Sequence, residues 1–416
     1  MNPKIDIHEY EKRYEWTVKQ LDQPERGKPI SKSNKRLILD FDKFCVLDHL
    51  SLPRRAKLIN SLNFFARHYL KKDFDKATKE DLKDAIMLVE ERNDYSVWTK
   101  QSYRAITKKF FKWIVQGDEC KIIKEYPEIV SWISTTIKAK DKPKVQASDI
   151  LTEDEVHKLI DVAEYTRDKC FVAMLYELGA RVSEIGNLRY GDITKDKFGY
   201  VVDLSGKTGH RTPLLITSSP YITAWLNEHP TKKSESPLWV MIGSRDKEKK
   251  MVYGTLRALI KRLVKKTEIK KRVHPHLFRH SRVTHALANG EMSEAQAEIY
   301  FGWIPGTKMM AEYSHLVSKD VNDARKKFLG LVPKEEEKTN FKKCLICDTI
   351  NSKKDVYCMK CFNPLDKGKL LELHESDKIH KKILVETLKD KRLKEYMATF
   401  ETVLSEKARE FLEKKV

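Results

Sequence analysis

The chain has 416 residues, 40% hydrophobic and 34% charged, enough for roughly two or three domains with ordinary cores. Lys and Arg number 81 against 61 Asp and Glu, a net charge of +20, which favours a polyanionic partner, nucleic acid first. No apolar run is long enough to span a bilayer, and the opening stretch MNPKIDIHEYEKRYEW lacks the apolar centre of a signal peptide; no membrane partner is expected, and the location expected is cytoplasmic and DNA-associated.

Residues 1–30 are polar without a clear apolar period and read as an arm or a loosely attached helix. From 31 to 137 the pattern is helical. Leu37, Phe41, Phe44 and Leu47 make one stripe, and Leu58, Ile59, Leu62, Phe65, Ala66 and Tyr69 another, at the spacing of core-facing helices. Thr78 with Asp81 has the form of a capping box ahead of Leu82, Ile86 and Val89. A helix over about 96–115 buries Tyr103, Ile106, Phe110, Trp113 and Ile114, and carries Lys100, Arg104, Lys108 and Lys112 on its other side. Cations stacked at this spacing repel unless an anion intervenes, and a DNA backbone supplies one. A solvated basic face is the plainer alternative. Residues 138–150 open with KAKDKPKVQAS and read as an extended basic linker, with Lys140 and Lys142 as candidate DNA contacts.

Residues 151–331 read as an α+β domain. Thr152 with Glu155 starts a helix. A buried helix follows through Phe171, Met174, Leu175 and Leu178 and ends at Gly179, a C-cap. Arg181 then stands at a turn into a short helix. It is either a structural ion pair to Glu184 or a guanidinium awaiting a phosphate, whose oxygens its planar fork binds two at a time. Two strand-like runs, 200–204 and 212–216, flank SGKTGHR, a hairpin turn carrying Lys207 at its tip. Residues 274–315 place His276, Arg279, His280 and Arg282 on a helix start and reach Tyr313 after the turn GWIPG at 302–306. A basic cluster followed by Tyr can bind a phosphate and attack it; a helical domain with a basic surface is the plain alternative.

The order ARVSEI (180–185), GKTGHRTPL (206–214), HPHLFRH (274–280), FGW (301–303) and Tyr313 resembles the tyrosine recombinase family, phage-integrase and Xer-like, over about residues 30–330. The resemblance implies a helical core-binding domain and a catalytic domain of helices around a small sheet. It implies that Arg181 and Arg279 clamp the scissile phosphate, that His276 and Trp303 hydrogen-bond it, that Lys207 is the general acid and that Tyr313 is the nucleophile. Glu184 and His280 would support these from behind. The product would be a 3′-phosphotyrosyl bond, formed without ATP or Mg²⁺, on specific sites in double-stranded DNA. Four protomers on two duplexes would pass through a Holliday junction. Two departures stand out: many relatives have His where Trp303 stands, and the spacing from Trp303 to Tyr313 is about one residue longer than usual. Delivery of Tyr313 in cis or in trans stays open. A type IB-like topoisomerase and a catalytically silent DNA-binding factor are the alternative functions. An integrase of a mobile element and an Xer-like resolvase are the leading ones.

Beyond a charged linker at 332–343, Cys344, Cys347, Cys358 and Cys361 form two CxxC pairs over 344–365. Their spacing predicts a structural Zn²⁺ ribbon with all four positions filled. Cys45, Cys120 and Cys170 stand singly and read as inert thiols. In the tail, 366–416, Leu393, Met397, Phe400, Leu404 and Phe411 fall near heptad spacing and predict an amphipathic helix, folded back on the chain or pairing protomers. The expected fold class is therefore mainly α with a small β-sheet: helical core-binding domain, α+β catalytic domain, zinc ribbon and C-terminal helix.

Overall fold

The computed structural model describes residues 5–25, 28–141, 148–206, 209–243, 248–304, 341–344, 349–352, 355–359 and 364–366. The fold is mainly helical with small antiparallel sheets. Its contacts divide the chain into two units. One holds Met1–Thr152, Arg181–Arg189 and Pro237–His280, the other Glu153–Ala180, Tyr190–Ser236 and Ser281–Val416.

The first unit is built on helices α1 (Tyr10–Lys19), α2 (Lys32–Leu47), α3 (Leu52–His68), α4 (Lys79–Glu90), α5 (Val97–Gln116) and the short α6 (Glu128–Ser131). Their shared core is aromatic: Phe110 meets Phe41 edge-on at 5.1 Å between centroids and Phe74 at 4.8 Å. The capping box is present, with the Asp81 N–H donating to Thr78 Oγ1 at 3.3 Å and the Thr78 N–H to Asp81 Oδ2 at 2.8 Å. The stripe on α2 is rotated from the expected one. Leu47 is exposed, while Ile38 and Cys45 are buried. Leu47 closes the helix, where the chain turns away and its side chain meets no neighbouring helix.

Residues 5–25, expected as a polar arm, are part of this bundle. Helix α1 packs on α3, and Leu21 is buried. Polar side chains do the fastening. Arg67 on α3, itself buried, donates to the carbonyls of Gln23 and Lys28 at 2.7 Å each and of Gln20 at 3.0 Å. These carbonyls follow the end of α1 and have no helical partner. Tyr14 donates to Asp42 Oδ2 at 2.6 Å, and Arg55 donates to Asp42 Oδ1 at 2.9 Å. Desolvation and the Asp42 bond push the Tyr14 hydroxyl up to about 12. Apolar periodicity cannot reveal an attachment made this way.

The same unit contains α9 (Val182–Gly186) and α11 (Tyr253–Lys265), and α12 (Pro275–Ala288) begins in it. The indole of Trp239 donates to Ile185 O at 2.7 Å, and the Ile7 N–H donates to Asn187 Oδ1 at 3.0 Å. The first holds the α9 backbone and the second the side chain of the residue that ends it.

The second unit holds α7 (Glu153–Asp161), α8 (Thr166–Leu178), α10 (Ser219–Glu228) and α13 (Glu294–Tyr300), with the rest of α12. Helices α7 and α10 pack on α8, whose Phe171, Met174, Leu175 and Leu178 are all buried. The expected hairpin is two ladders. Strand β2 (Tyr200–Val202) lies between β1 (Ile193–Lys195) and β5 (Leu214–Leu215), whereas β3 (Leu204–Gly206) pairs β4 (Gly209–Arg211). Gly206 pairs Gly209 at the end of the ladder. Near the C-terminus, β6 (Phe341–Lys343) pairs β7 (Ile350–Ser352), and β7 packs on α10.

Candidate active site

Helix α12 carries most of the candidate residues. Pro275 begins it, with φ already fixed for a helix and no N–H to leave unpaired. Residues three and four apart share a face, so His276 stands beside Arg279 and His280. The two imidazoles meet edge-on, their centroids 4.6 Å apart. Arg279 is 1% exposed and among the largest fully buried side chains. A guanidinium enclosed this far is held in one position, because a buried charge is tolerated only where its surroundings satisfy it.

His276 is pushed down to about 4, first by desolvation and then by the charges of His280, Arg279, His274 and Arg181. His280 is pushed down by the same desolvation and by His274 and Arg279. Both rings are therefore neutral at pH 7, each with one N–H donor and one acceptor nitrogen. His276 keeps an open side toward solvent. Its folded pKa lies below the unfolded value of 6.5, so the folded state binds fewer protons in that window. Stability falls as pH drops from about 6.5 toward 4, by less than full enclosure would bring because the ring is partly solvated.

Arg181 stands between α8 and α9. Helix α8 ends at Gly179 with φ 51°, where an added Cβ would lie 2.7 Å from the Phe301 ring. The chain can then turn sharply to present Arg181. Its backbone N–H donates to Glu184 Oε2 at 3.0 Å and its Nη1 donates to Oε1 at 2.8 Å. The Glu184 side chain is 2% exposed and that of Arg181 32%. The ion pair read as one of two alternatives is thus present, and it orients a guanidinium still reachable from solvent.

In the second unit, Trp303 is buried with Phe301, Val283, Ala286 and Ala297. It follows a helix end of Schellman form: Trp303 N–H donates to Glu298 O at 2.8 Å and Gly302 N–H to Ile299 O at 3.1 Å, with Gly302 at φ 65°. Arg282 and His285, which the sequence left without a role, are structural. Arg282 donates to Glu291 Oε2 at 2.6 Å and to Glu177 O at 3.1 Å, and His285 Nδ1 shares a 2.7 Å hydrogen bond with the Tyr176 hydroxyl. Glu177, not singled out from sequence, accepts the N–H groups of Ile216, Thr217 and Ser218 at 2.8–2.9 Å. A lone carboxylate on the otherwise apolar run of α8 was the available sign.

Lys207, Tyr313, Lys142, Cys347 and Cys361 lie outside the described residues, as do the tail 367–416 and most of the 332–343 linker. Lys140 is exposed. The α5 cations face internal acceptors. Lys108 donates to Ile133 O at 2.7 Å and Lys112 to Ile123 O at 2.6 Å, both over the Tyr126 ring. Lys100 donates to Glu90 O, and Arg104 pairs with the Glu90 carboxylate at 3.4 Å. Their mutual repulsion therefore needs no external anion. An open groove of about 560 Å³ on α2 is lined by Lys32, Lys35, Arg36 and Lys43 together with Asp40 and Asp42, and Lys43 pairs with Asp40 at 2.9 Å.

Cys344 and Cys358 are both buried, in one cluster with Leu365, and the Cys344 N–H donates to Thr349 O at 2.8 Å. Burial holds Cys45 up at about 11 and raises Cys120 and Cys170 as well, which suits inert thiols. Among the described residues no helix is long and apolar enough to cross a membrane.

Residues 149–319 match the phage integrase family, a span that includes every candidate from Arg181 to Tyr313. Tyrosine recombinase XerA of Pyrococcus horikoshii is 29% identical over 246 residues, 58% of this chain and 78% of that protein. The fold resembles lambda integrase residues 75–356 bound to DNA, with a TM-score of 0.52 at 13% identity, over 67% of this chain and 95% of that one. It also resembles the lambda integrase tetramer bound to a Holliday junction, with a TM-score of 0.50 at 14% identity, over 66% and 78%. The segment 149–319 thus matches a phage integrase domain. With it, the chain is a site-specific DNA recombinase of the tyrosine type.

Proposed function

We propose that Tyr313 is the nucleophile and that Arg181, Arg279, His276 and Trp303 bind the scissile phosphate, with Lys207 as general acid. The observation that carries this is the α12 face, where buried Arg279 stands among two neutral imidazoles, with the charge of Arg181 reaching His276 and Glu184 orienting its guanidinium. A phosphodiester repels nucleophiles, and Tyr ionises only near pH 10. Two guanidinium groups offset that repulsion and stabilise the charge that grows on the non-bridging oxygens. The Tyr313 oxygen bonds to phosphorus, the P–O5′ bond breaks, and O5′ takes a proton from Lys207. The neutral imidazole of His276 can donate a hydrogen bond or accept the phenol proton. An indole donates one hydrogen bond and exchanges no proton, so Trp303 stabilises and does not act as acid or base. The 3′-phosphotyrosyl bond conserves the energy of the phosphodiester, and a second strand's 5′-hydroxyl reverses the step.

The substrate is double-stranded DNA at specific sites, recombined by four protomers on two duplexes. Mapping covalent protein–DNA complexes across the host genome tests this. Complexes concentrated at discrete sites are expected. Scattered complexes, together with relaxation of a plasmid lacking any such site, would instead identify a type IB-like topoisomerase.

The four clustered cysteines suit a structural Zn²⁺. Two of the thiols already lie buried in one cluster with Leu365, and the set is all-sulfur. Bound there, Zn²⁺ would hold Cys344, Cys347, Cys358 and Cys361 and contribute folding energy to a ribbon too small for its own core. One zinc per chain is expected by elemental analysis, lost in Cys344→Ser. Chelation should expose residues 341–366 to rapid hydrogen exchange, and protection that survives full metal removal would sink the assignment.

A further inference from the structure

We propose that Arg211 is a positioning residue for strand cleavage: its guanidinium holds the paired strands β3 and β4, between which Lys207 falls in the sequence, against the Gly302 turn that leads into Trp303. The proposal rests on the reading of Lys207 as general acid.

Arg211 ends β4 and pairs with Leu204, which is fully buried. Side chains alternate along a strand, so Arg211 points opposite to His210, which hydrogen-bonds Asp203 at 2.5 Å on the other face. The Arg211 side chain runs to the end of α13. There the guanidinium lies close against Gly302: a Cβ placed on that glycine would sit 3.0 Å from Arg211 Cζ, 3.5 Å from Cδ and closer still to Nη1. Gly302 is therefore required twice, for its left-handed φ and for the room its missing side chain leaves. A guanidinium brings a broader head and more donors to such a contact than a lysine ammonium does. The charge is felt beyond the contact, since Arg211 acts on the Tyr300 hydroxyl, which itself donates to Glu177 O at 3.3 Å.

A pair of three-residue strands has little stability of its own, so its tip is placed by what its base is packed on. A general acid has to stand within hydrogen-bond reach of the oxygen it protonates. Shifts of about 1 Å from that geometry cost on the order of 10²-fold in rate. By tying the hairpin base to the Gly302 turn, Arg211 fixes the acid and the phosphate-binding Trp303 to a common support.

The test compares DNA with an ordinary 5′-oxygen at the scissile bond against DNA with a 5′-bridging sulfur there. When the P–S bond breaks, the thiolate leaves without a proton, because thiols ionise near pH 8.5. Arg211→Ala is expected to slow covalent attachment on the order of 10–10²-fold on the oxygen substrate, and to come within a few-fold of the unaltered protein on the sulfur substrate. Lys207→Ala should show the same rescue from a deeper loss, and Arg211→Lys an intermediate deficit. Gly302→Ala, whose Cβ would displace the guanidinium, should reproduce the oxygen-specific defect with Arg211 intact, and serves if Arg211→Ala does not fold. Rescue of Lys207→Ala but equal slowing of Arg211→Ala on both substrates overturns the role of Arg211. So does an Arg211→Ala rate that is unchanged on oxygen. Failure of the sulfur substrate to rescue Lys207→Ala removes Lys207 as the acid, and the inference falls with it.

Discussion

Tyr313→Phe is expected to abolish covalent attachment to DNA while leaving binding within a few-fold of the unaltered protein. The change removes one oxygen and no charge. Affinity for a duplex comes mainly from cations meeting phosphates, and the +20 net charge is untouched. Cleavage needs an atom that can bond to phosphorus, and a phenyl ring has none. The measurement is trapping on a nicked suicide substrate followed by denaturing electrophoresis. Two other tyrosines of the catalytic segment do not offer a substitute. Tyr300 and Tyr176 are both half-buried with hydroxyls pushed well above the ordinary range by desolvation first, and each is already hydrogen-bonded, to Glu177 O and to His285. Covalent complexes that persisted in Tyr313→Phe would move the nucleophile elsewhere in the chain.

Helix α12 illustrates what could be read in advance and what could not. His276, Arg279 and His280 are spaced so that any helix puts them on one face, and this much was legible. The same spacing cannot distinguish Arg279 from Arg282. Both lie on one helix and both are buried, yet Arg282 is committed to Glu291 and to the Glu177 carbonyl, partners that only the folded chain brings near. The α5 stripe has partners that the sequence hides for a related reason. Lys108 and Lys112 looked unbalanced because their acceptors are the backbone carbonyls of Ile133 and Ile123, and a carbonyl leaves no mark in a sequence. The attachment of residues 5–25 was hidden likewise, being made by Arg67 with carbonyls and by Tyr14 with Asp42. Local devices were legible: the Thr78–Asp81 capping box, the Gly179 helix end and the Glu184–Arg181 pair each join residues at most a few positions apart. Arg211 is the opposite case. Its partner is Gly302, far along the chain, and a hairpin arginine without that contact reads as an ordinary surface cation.

Arg279→Ala carries the second large expectation, a loss of cleavage on the order of 10²–10³-fold, by analogy with removing one preorganised donor from an oxyanion site. The physical basis is the contrast between Arg279 and Arg181. Arg279 is 1% exposed and fixed before any substrate arrives, so it needs little reorganisation as charge develops on the phosphate. The Arg181 side chain is 32% exposed, so part of its alignment has to be completed when DNA binds. Loss of Arg279 should therefore act on the rate of covalent attachment more than on the affinity for DNA. Arg279→Lys is expected to recover only part of the loss, because an ammonium keeps the charge but lacks the planar fork. Arg279→Ala also relieves His276 and His280 of a neighbouring positive charge, which Arg279→Lys retains. The pKa of both rings should rise in Arg279→Ala and rise less in Arg279→Lys, readable by NMR titration. Single-turnover cleavage and circular dichroism, measured together, separate catalysis from folding. A folded Arg279→Ala protein that cleaves at a near-normal rate would remove Arg279 from the site. The clamp would then rest on Arg181, whose partly exposed side chain offers far less preorganisation.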